Sequence, residues 1–251
     1  YRLRIDDIDH TRCRPEYTEQ IYDDLAFLGL SWRGEPVFQS DRLDRYAQAL
    51  DRLREMDLVY PCFLTRAELA KVLSAPHEPP TATDVVLSAD EAARRAGSGM
   101  APAWRLRTAK ALELAESPTW LDLRTGSRRS VDMSAHGDVI VARRDIRTSY
   151  HLSVVVDDMI DGVTLVTRGM DLEDSTHVHR LLQAILKIPA PAYYHHDLVC
   201  DEDGQRLAKR HDALSISELR QSDLSATEIL SYLPDFAESA IISSDFSVFT
   251  N

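Results

Sequence analysis

The feature that most constrains this chain is a pair of short apolar runs within residues 150–171. Residues 154–156 are followed by two aspartates, an Asp-Gly turn comes next, and residues 163–166 then lead into Thr-Arg-Gly. Runs this short and this apolar belong to a buried layer, but their period does not distinguish a buried strand from a buried helix. The two runs therefore predict the centre of the core and leave its secondary structure open.

Arg168 ends the second run and is followed by Gly169. An arginine at the end of a buried strand is well placed to bind a carboxylate or phosphate at the rim of an open α/β sheet. The alternative is an arginine that closes a salt bridge at a strand end. The residues alone leave both interpretations open.

The composition is that of a soluble globular protein. The chain has 251 residues, 44% of them hydrophobic and 28% charged. A chain of this length can bury a hydrophobic core without disulfides or structural metal ions. No apolar run approaches the length of a membrane span, and no signal-peptide pattern opens the chain. The three cysteines are far apart and form no CxxC pair, which favours a reducing cytoplasm.

The charge limits how the protein can meet nucleic acid. A formal net charge of −12 argues against indiscriminate coating of RNA or DNA. Contact with RNA would be confined to local basic clusters, of which Arg128/Arg129 and Arg143/Arg144 are examples.

Strand and helix patterns alternate along the chain and predict an α/β fold with a mainly parallel sheet. The predicted strands cover residues 1–5, 60–66, 104–107, 119–123, 138–144 and 193–199. The predicted helices begin at Pro15, Asp41 and Asp90, after a cap at Ser175 or Thr176, and at about Ser217. Ser40 is the predicted cap of the second helix, whose buried stripe is Leu43, Tyr46, Leu50 and Leu53.

Carboxylates follow the first predicted strand, at Asp6, Asp7 and Asp9. Open sheets place their ligand sites at the carboxyl ends of strands, so these side chains are candidate ligand-binding groups. The alternative, which applies above all to Asp9, is a capping cluster for the helix that follows.

Clustered histidines, His177 with His179 and His195 with His196, suggest a metal site at first sight. Histidines on the surface of a helix or strand are more often solvated or bonded to a helix end than bound to a metal. We therefore predict no metal ligands among them.

Several blocks spread in order over almost the whole chain resemble the class I glutamyl-tRNA synthetases and their shortened relatives. The blocks are residues 3–9, 29–32, 60–62, 150–158, 162–171 and 205–211. The resemblance implies a Rossmann-type parallel sheet with an inserted acceptor-binding-like subdomain, and a ligase that uses ATP with Mg²⁺ to activate L-glutamate. It divides the chain into catalytic halves at residues 1–59 and 137–204, an insert at 60–136 and a C-terminal region at 205–251.

The resemblance also implies roles for single residues. Tyr150 and Arg168 match positions that hold the glutamate substrate, Arg168 by a charge-assisted bond to a carboxylate. Asp6 stands where the family usually has Glu, whose carboxylate faces the substrate ammonium. Aspartate keeps that charge but is one methylene shorter.

The block at residues 205–211 resembles the mobile ATP-binding signature of the family, Lys-Met-Ser-Lys-Ser in its consensus form. Here the signature consists of Arg206, Leu207, Ala208, Lys209 and Arg210. Lys209 matches the second lysine, and we expect it to be catalytic by stabilising charge on the ATP phosphates as the adenylate forms. The other ATP signature of the family, a His-x-Gly-His-like turn, is expected to lie before Tyr1.

Only about forty residues follow this block, too few for the helical anticodon-binding domain of full-length glutamyl-tRNA synthetases. That pattern resembles the short paralogues, the glutamyl-Q tRNA(Asp) synthetases. It implies L-glutamate and queuosine-bearing tRNA(Asp) as partners of a cytoplasmic monomer that does not enter a membrane. The alternatives are a catalytic fragment of a synthetase that charges tRNA(Glu) and a non-catalytic tRNA-binding paralogue.

A zinc site is not expected. Many relatives carry Cys-x-Cys after Tyr-Pro, whereas this sequence has Cys62 and Leu64 there, and the next cysteine is Cys200. One thiolate cannot form a structural zinc site, which needs four ligands. We predict instead that Cys62 is a small core residue.

Overall fold

The computed structural model describes residues 2–65, 68, 87–198 and 215–231. Its strands are β1 (Arg4–Ile5), β2 (Val37–Phe38), β3 (Val59–Cys62), β4 (Ala103–Leu106), β5 (Thr119–Asp122), β6 (Ser127–Ser130), β7 (Ile140–Ala142), β8 (Leu165–Gly169) and β9 (Ala192–His196). Its helices are α1 (Pro15–Phe27), α2 (Leu43–Glu55), α3 (Ala89–Gly97), α4 (Thr108–Ala115), α5 (Tyr150–Ile160), α6 (Glu173–Leu186), α7 (Ile216–Gln221) and α8 (Ala226–Ser231).

The strands form three sheets within the described residues. β1 pairs with β2 in parallel, and β3, β4 and β7 form an antiparallel sheet. In the third sheet β5, β9 and β8 are parallel neighbours, and β6 adds an antiparallel edge. The predicted α/β class is confirmed, but the pairing is mixed: β3, β4 and β7 pair antiparallel, and the turn at Gly126, where φ is +67°, reverses the chain into the antiparallel edge strand β6.

Two strand pairs cross the boundary predicted between residues 136 and 137. β4 pairs with β7, and β5 pairs with β9. Both predicted segments therefore share sheets, and the division at residues 59, 136 and 204 stays a prediction.

The two apolar runs adopt different structures. The first lies in α5, which begins where the Ser149 hydroxyl accepts a hydrogen bond from the Leu152 amide. The helix ends at Ile160, and Gly162, with φ at +68°, turns the chain toward β8, which contains Val166 of the second run. α5 buries its apolar run against α2 and α6, so the first run forms a helix and the second enters a strand.

The core lies among α2, α5 and α6. Tyr46, Leu50 and Leu53 are buried there as the helical stripe of α2 predicts. Leu43 is 46% exposed, so its predicted burial is wrong. Leu43 is the first residue of α2, directly after a 3₁₀ turn, and faces solvent before the helix reaches the core.

The predicted helix caps are also wrong, because their side chains have other partners. Ser40 lies in the 3₁₀ turn that precedes α2, and its amide and hydroxyl both donate to the carboxylate of Asp7. Helix α6 begins at Glu173, after another 3₁₀ turn, so Thr176 lies inside the helix.

Asp9 does not cap α1, which begins at Pro15 with Arg14 as its N-cap residue. Its carboxylate accepts hydrogen bonds from Thr11 and Arg143 instead. These bonds, led by the one from the Thr11 hydroxyl, lower the pKa of Asp9 to about 2.

Asp157 is fully buried and joins three elements. Its carboxylate accepts hydrogen bonds from Gln39 Nε2 at 2.8 Å, Arg42 Nη1 at 2.9 Å and the Tyr46 hydroxyl at 2.9 Å. Arg4 Nε lies 3.7 Å from the same group. A buried carboxylate is tolerated only with such donors and charges around it, so Asp157 ties α5 to α2 and to β1.

A search of the described residues for a helix long and apolar enough to cross a membrane finds none.

Asp157→Ala should lower the free energy of unfolding by about 2–5 kcal/mol, because it leaves the Gln39 amide and the Tyr46 hydroxyl buried without their acceptor and removes one of the two carboxylates paired with Arg42. Urea unfolding measures the change. The control is Asp51→Ala, which removes an exposed ion pair with Arg54 and should cost less than about 1 kcal/mol. Equal losses in the two variants would contradict the role given to Asp157.

Candidate active site

A cavity of about 340 Å³ opens beside α5 and the carboxyl half of β8. Asp6, Tyr150 and Arg168, which lie far apart in the sequence, all line it. β1 delivers Asp6, the first turn of α5 delivers Tyr150, and β8 delivers Arg168. The three residues predicted to hold an amino-acid substrate therefore share one site.

Part of the cavity lining is acidic. Arg4 donates from Nε to Asp6 Oδ1 at 2.8 Å and from Nη1 to Asp158 Oδ1 at 3.0 Å. Burial raises the pKa of Asp158, and the hydrogen bond from Arg4 opposes that rise. With Asp6 and Asp158 ionised, two carboxylates share one guanidinium, which leaves one unit of negative charge in this part of the lining.

Arg168 also lines the cavity, and its guanidinium is held by neutral groups. It donates from Nη2 to Thr176 Oγ1 at 2.6 Å and from Nε to His195 Nε2 at 3.3 Å. Its Nη1 lies 3.2 Å from His179 Nδ1 and 3.4 Å from the Tyr150 hydroxyl. Four side chains thus fix the direction of this arginine.

No carboxylate within the described ranges of the chain forms an ion pair with Arg168. Its described hydrogen-bond partners are hydroxyls and imidazoles, and its guanidinium also lies 5.5 Å from the centre of the Tyr193 ring. The salt-bridge interpretation of Arg168 therefore finds no support in the described structure. A guanidinium held in this way keeps its full charge for an anion that enters the cavity.

The histidines around Arg168 are neutral. Burial is the main cause that lowers the pKa of His195 to about 4 and the pKa of His179 well below its usual value. A guanidinium has no acceptor, so each ring nitrogen that faces it must accept. The Thr176 hydroxyl accepts a hydrogen bond from Arg168 and can donate one to His195 Nε2, 3.0 Å away.

Gly169 follows Arg168 because there is little room for a side chain. A Cβ at this position would lie 2.5 Å from Asp171 Oδ1 and 2.9 Å from Leu198 Cδ2. Glycine lets the chain turn from β8 into the 3₁₀ turn before α6 without displacing either neighbour.

Residues 1–240 match a family model described as the catalytic domain of the class I tRNA synthetases, E and Q. The chain belongs to this family. Its helix and sheet arrangement is accordingly the class I catalytic fold, as the resemblance implied.

Relatives in the class I family cover most of the chain. A glutamyl-Q tRNA(Asp) synthetase of Rhodobacter capsulatus is 41% identical over 243 residues, which span 91% of this chain and 86% of the relative. Another, from Nocardia farcinica, is 39% identical and spans 94% of this chain and 73% of the relative. A protein named glutamate–tRNA ligase 2, from Gluconacetobacter diazotrophicus, is 38% identical, and the match spans 93% of this chain and 53% of the relative.

Solved structures of the family have the same fold. The crystal structure of a glutamate tRNA ligase from Elizabethkingia meningosepticum, in complex with its amino acid, superposes with a TM-score of 0.67 at 22% identity. The match covers 88% of this chain and 46% of that chain. At this level of identity the likeness concerns the fold alone.

The ATP signature of this class I chain lies outside the described residues. Arg206, Leu207, Ala208, Lys209 and Arg210 all fall within the gap between residues 198 and 215. Their assignment to ATP, and the catalytic role of Lys209, stay predictions.

Sequence reasoning missed four residues of the site and misplaced two histidines. Arg4, Asp158, Thr176 and Tyr193 were not predicted to line or support a pocket. His179 and His195 were expected at the surface, and both are 2% exposed. A signal for His195 was present, because Tyr193 and His195 alternate on one face of a strand and are buried together.

The basic clusters are largely engaged within this synthetase domain. Arg143 bonds to Asp9 and Asp145, and Arg144 donates to the carbonyl of Phe63. Arg129 forms an ion pair with Glu173. In the structure these three arginines are thus occupied by contacts within the protein, which reduces the number of basic side chains that could contact RNA.

Cys62 is buried on β3, opposite Ala103, as a core position requires. The described part of the chain contains no group of three or more His, Cys, Asp and Glu side chains that could hold a metal ion. Cys200 lies outside the described residues. The absence of zinc stays a prediction.

The free energy of unfolding should fall as the pH drops from about 6.5 toward 4. In this range the histidines of the unfolded chain become protonated, whereas the buried histidines of the folded protein stay neutral. Burial lowers the pKa of His151 and His195 to about 4, and an unfolded histidine titrates near 6.5. Urea unfolding between pH 7 and 4 measures the slope, about 1.4 kcal/mol per pH unit for each such histidine. His195→Gln should flatten the curve, and an unchanged slope in that variant would contradict the prediction.

The purified protein should contain no stoichiometric zinc, because Cys62 has no partner thiolate at position 64. Elemental analysis of protein prepared with zinc in the medium tests this. Exposure to a zinc chelator should leave the unfolding midpoint unchanged. One zinc ion per chain would refute the prediction.

Proposed function

We propose that this protein activates L-glutamate with ATP and transfers the glutamyl group to the queuosine base in the anticodon of tRNA(Asp). The observation that carries the proposal is the set of charges that lines the cavity. Asp6 and Asp158 share Arg4, and Arg168 lines the same cavity with no described carboxylate partner. Relatives named glutamyl-Q tRNA(Asp) synthetase support the choice of acceptor.

The charges of the cavity complement those of free glutamate. Its ammonium would lie against Asp6 and Asp158. These two carboxylates share the single positive charge of Arg4, so together the three groups carry a net negative charge. One of its carboxylates would accept the charge-assisted hydrogen bonds of Arg168 and the hydroxyl of Tyr150. Asp158 adds a second carboxylate on the ammonium side, which supports binding even though Asp6 is shorter than the usual Glu.

The proposed first step is attack of the substrate α-carboxylate on the α-phosphorus of ATP. A carboxylate oxygen forms the new bond to phosphorus, the bond to the bridging oxygen breaks, and pyrophosphate leaves as glutamyl-adenylate forms. Because the α-carboxylate must reach ATP, the side-chain carboxylate is the one that we assign to Arg168. This domain contributes mainly positioning and fixed charge to such a step.

ATP would be held by the signature of Arg206, Leu207, Ala208, Lys209 and Arg210. In this proposal the Lys209 ammonium stabilises the charge that develops on the phosphates as pyrophosphate departs. Mg²⁺ is the ion that usually accompanies ATP phosphates in enzymes, and we expect it to enter with the nucleotide.

In the proposed second step a hydroxyl of the queuosine base attacks the carbonyl carbon of the adenylate. An ester bond forms, the mixed anhydride breaks, and AMP leaves with the bonding electron pair. The hydroxyl proton passes to solvent or to the departing phosphate.

A second candidate is the charging of tRNA(Glu). It is favoured by relatives named glutamate–tRNA ligase 2 at 38% identity, although the match spans only 53% of the length of the one from Gluconacetobacter diazotrophicus.

Transfer of labelled glutamate to purified tRNA separates the candidates. The full-length protein should label tRNA(Asp) that contains queuosine and should not label tRNA(Asp) from cells that lack the modification. Labelling of tRNA(Glu) alone would support the second candidate. A protein that labels neither tRNA, and shows no glutamate-dependent exchange of pyrophosphate into ATP, would overturn both.

Arg168→Ala should abolish glutamate-dependent pyrophosphate exchange at substrate concentrations that saturate the wild type, because the substrate carboxylate loses its cation. Arg168→Lys keeps the charge but not the planar fork, so we expect a rise in KM for glutamate of at least tenfold. Circular dichroism and thermal unfolding check that both variants fold. An unchanged exchange rate in Arg168→Ala would contradict the assignment.

A further inference from the structure

We propose that His179 is a positioning residue for glutamate binding: with its proton placed by His151, it directs Arg168 into the cavity without neutralising the arginine. This inference rests on the proposed function, because it assigns Arg168 to a carboxylate of the substrate. His179 lines the same cavity and holds Arg168 within it.

The contacts of His179 specify one protonation state. Its Nδ1 lies 3.2 Å from Arg168 Nη1, and its Nε2 lies 3.1 Å from His151 Nδ1. Because the guanidinium only donates, Nδ1 of His179 must accept, and the ring proton must therefore sit on Nε2. That proton is donated to His151 Nδ1, so His151 selects the tautomer that Arg168 requires.

His179 is almost completely buried and packs against two aromatic rings. It lies on α6, is 2% exposed, and packs with its ring centre 5.4 Å from that of Tyr150 and 5.2 Å from that of His151. It therefore contacts both residues that are proposed to hold the substrate, Arg168 through Nδ1 and Tyr150 through its ring.

A neutral acceptor suits this position better than a carboxylate would. An aspartate or glutamate here would hold Arg168 more tightly, but it would also cancel the positive charge that the substrate needs. An imidazole supplies direction and leaves the charge in place. The other ring that accepts from Arg168, His195, has the same character.

Several charged or titratable side chains of the described elements lie near His179 and His151. Arg168 from β8 is the cation in contact with His179, and His151 and Tyr150 come from α5. His136 acts electrostatically on His151 from the loop before β7. No ionised carboxylate among the described residues contacts His179.

Three substitutions separate the parts of the proposal. His179→Gln can still accept from Arg168 with its amide oxygen and donate to His151 with its amide nitrogen. His179→Leu fills the space but removes both bonds. His179→Glu keeps an acceptor and adds the neutralising charge.

Glutamate-dependent pyrophosphate exchange with the full-length protein near neutral pH provides the test. We expect His179→Gln to keep KM for glutamate within about threefold of wild type, and His179→Leu to raise it roughly tenfold or more. His179→Glu should raise it at least as much as His179→Leu. In all three variants KM for ATP should stay within about twofold, because the change acts through Arg168.

The matched control is His177→Leu, which makes the same substitution two residues away on α6. His177 accepts from the Asp132 amide and is not among the described partners of Arg168, so KM for glutamate should not change. Thermal unfolding of each variant separates a loss of binding from a loss of folded protein.

Three results would overturn the inference while the proposed function stands. One is a wild-type KM for glutamate in a folded His179→Leu variant. Another is equal damage from His179→Gln and His179→Leu, and the third is a parallel rise in KM for ATP. A wild-type protein with no glutamate-dependent exchange would instead overturn the proposed function itself.

Discussion

The described structure depends on a buried carboxylate that three elements share. Asp157 lies on α5 with no exposed surface, and donors from the turn before α2, from α2 itself and from β1 surround it. Helix geometry then turns the next residue, Asp158, toward Arg4 and the cavity. One pair of adjacent aspartates thus joins the core to the site, the first by holding helices together and the second by lining the pocket.

Arg168, which also lines the pocket, has a different kind of surroundings. Arg168 is oriented by hydroxyls and neutral imidazoles, so its direction is fixed while its charge remains available. Burial keeps the imidazoles neutral, since it lowers the pKa of His179 and His195 far below neutrality. A cavity lined both by carboxylates and by a guanidinium without a described carboxylate partner suits a zwitterionic amino acid, and this complementarity is the basis of the proposed glutamate site.

Much of the site could be predicted, because its contacting residues lie in blocks that resemble a known family. Asp6, Tyr150 and Arg168 line one cavity, as their match to substrate-holding positions implied. Their supporting residues were harder to find, since a histidine on a helix or strand reads as a surface group when the neighbouring elements are unknown. His195 is buried on β9 between two neighbouring strands, and His179 is buried on α6, which packs against α5 and α4; sequence spacing does not report that packing.

The sequence by itself determined the α/β class, most of the helices and the position of the apolar core, because periodicity and turn residues act locally. It also determined family membership through blocks that span the chain. Only the tertiary structure decided that residues 150–160 form a helix, since a short apolar run is compatible with a buried helix or a buried strand. It also decided that Arg168 has neutral partners in the described structure rather than a salt bridge, because the identity of a side chain's neighbours depends on which distant elements pack against it.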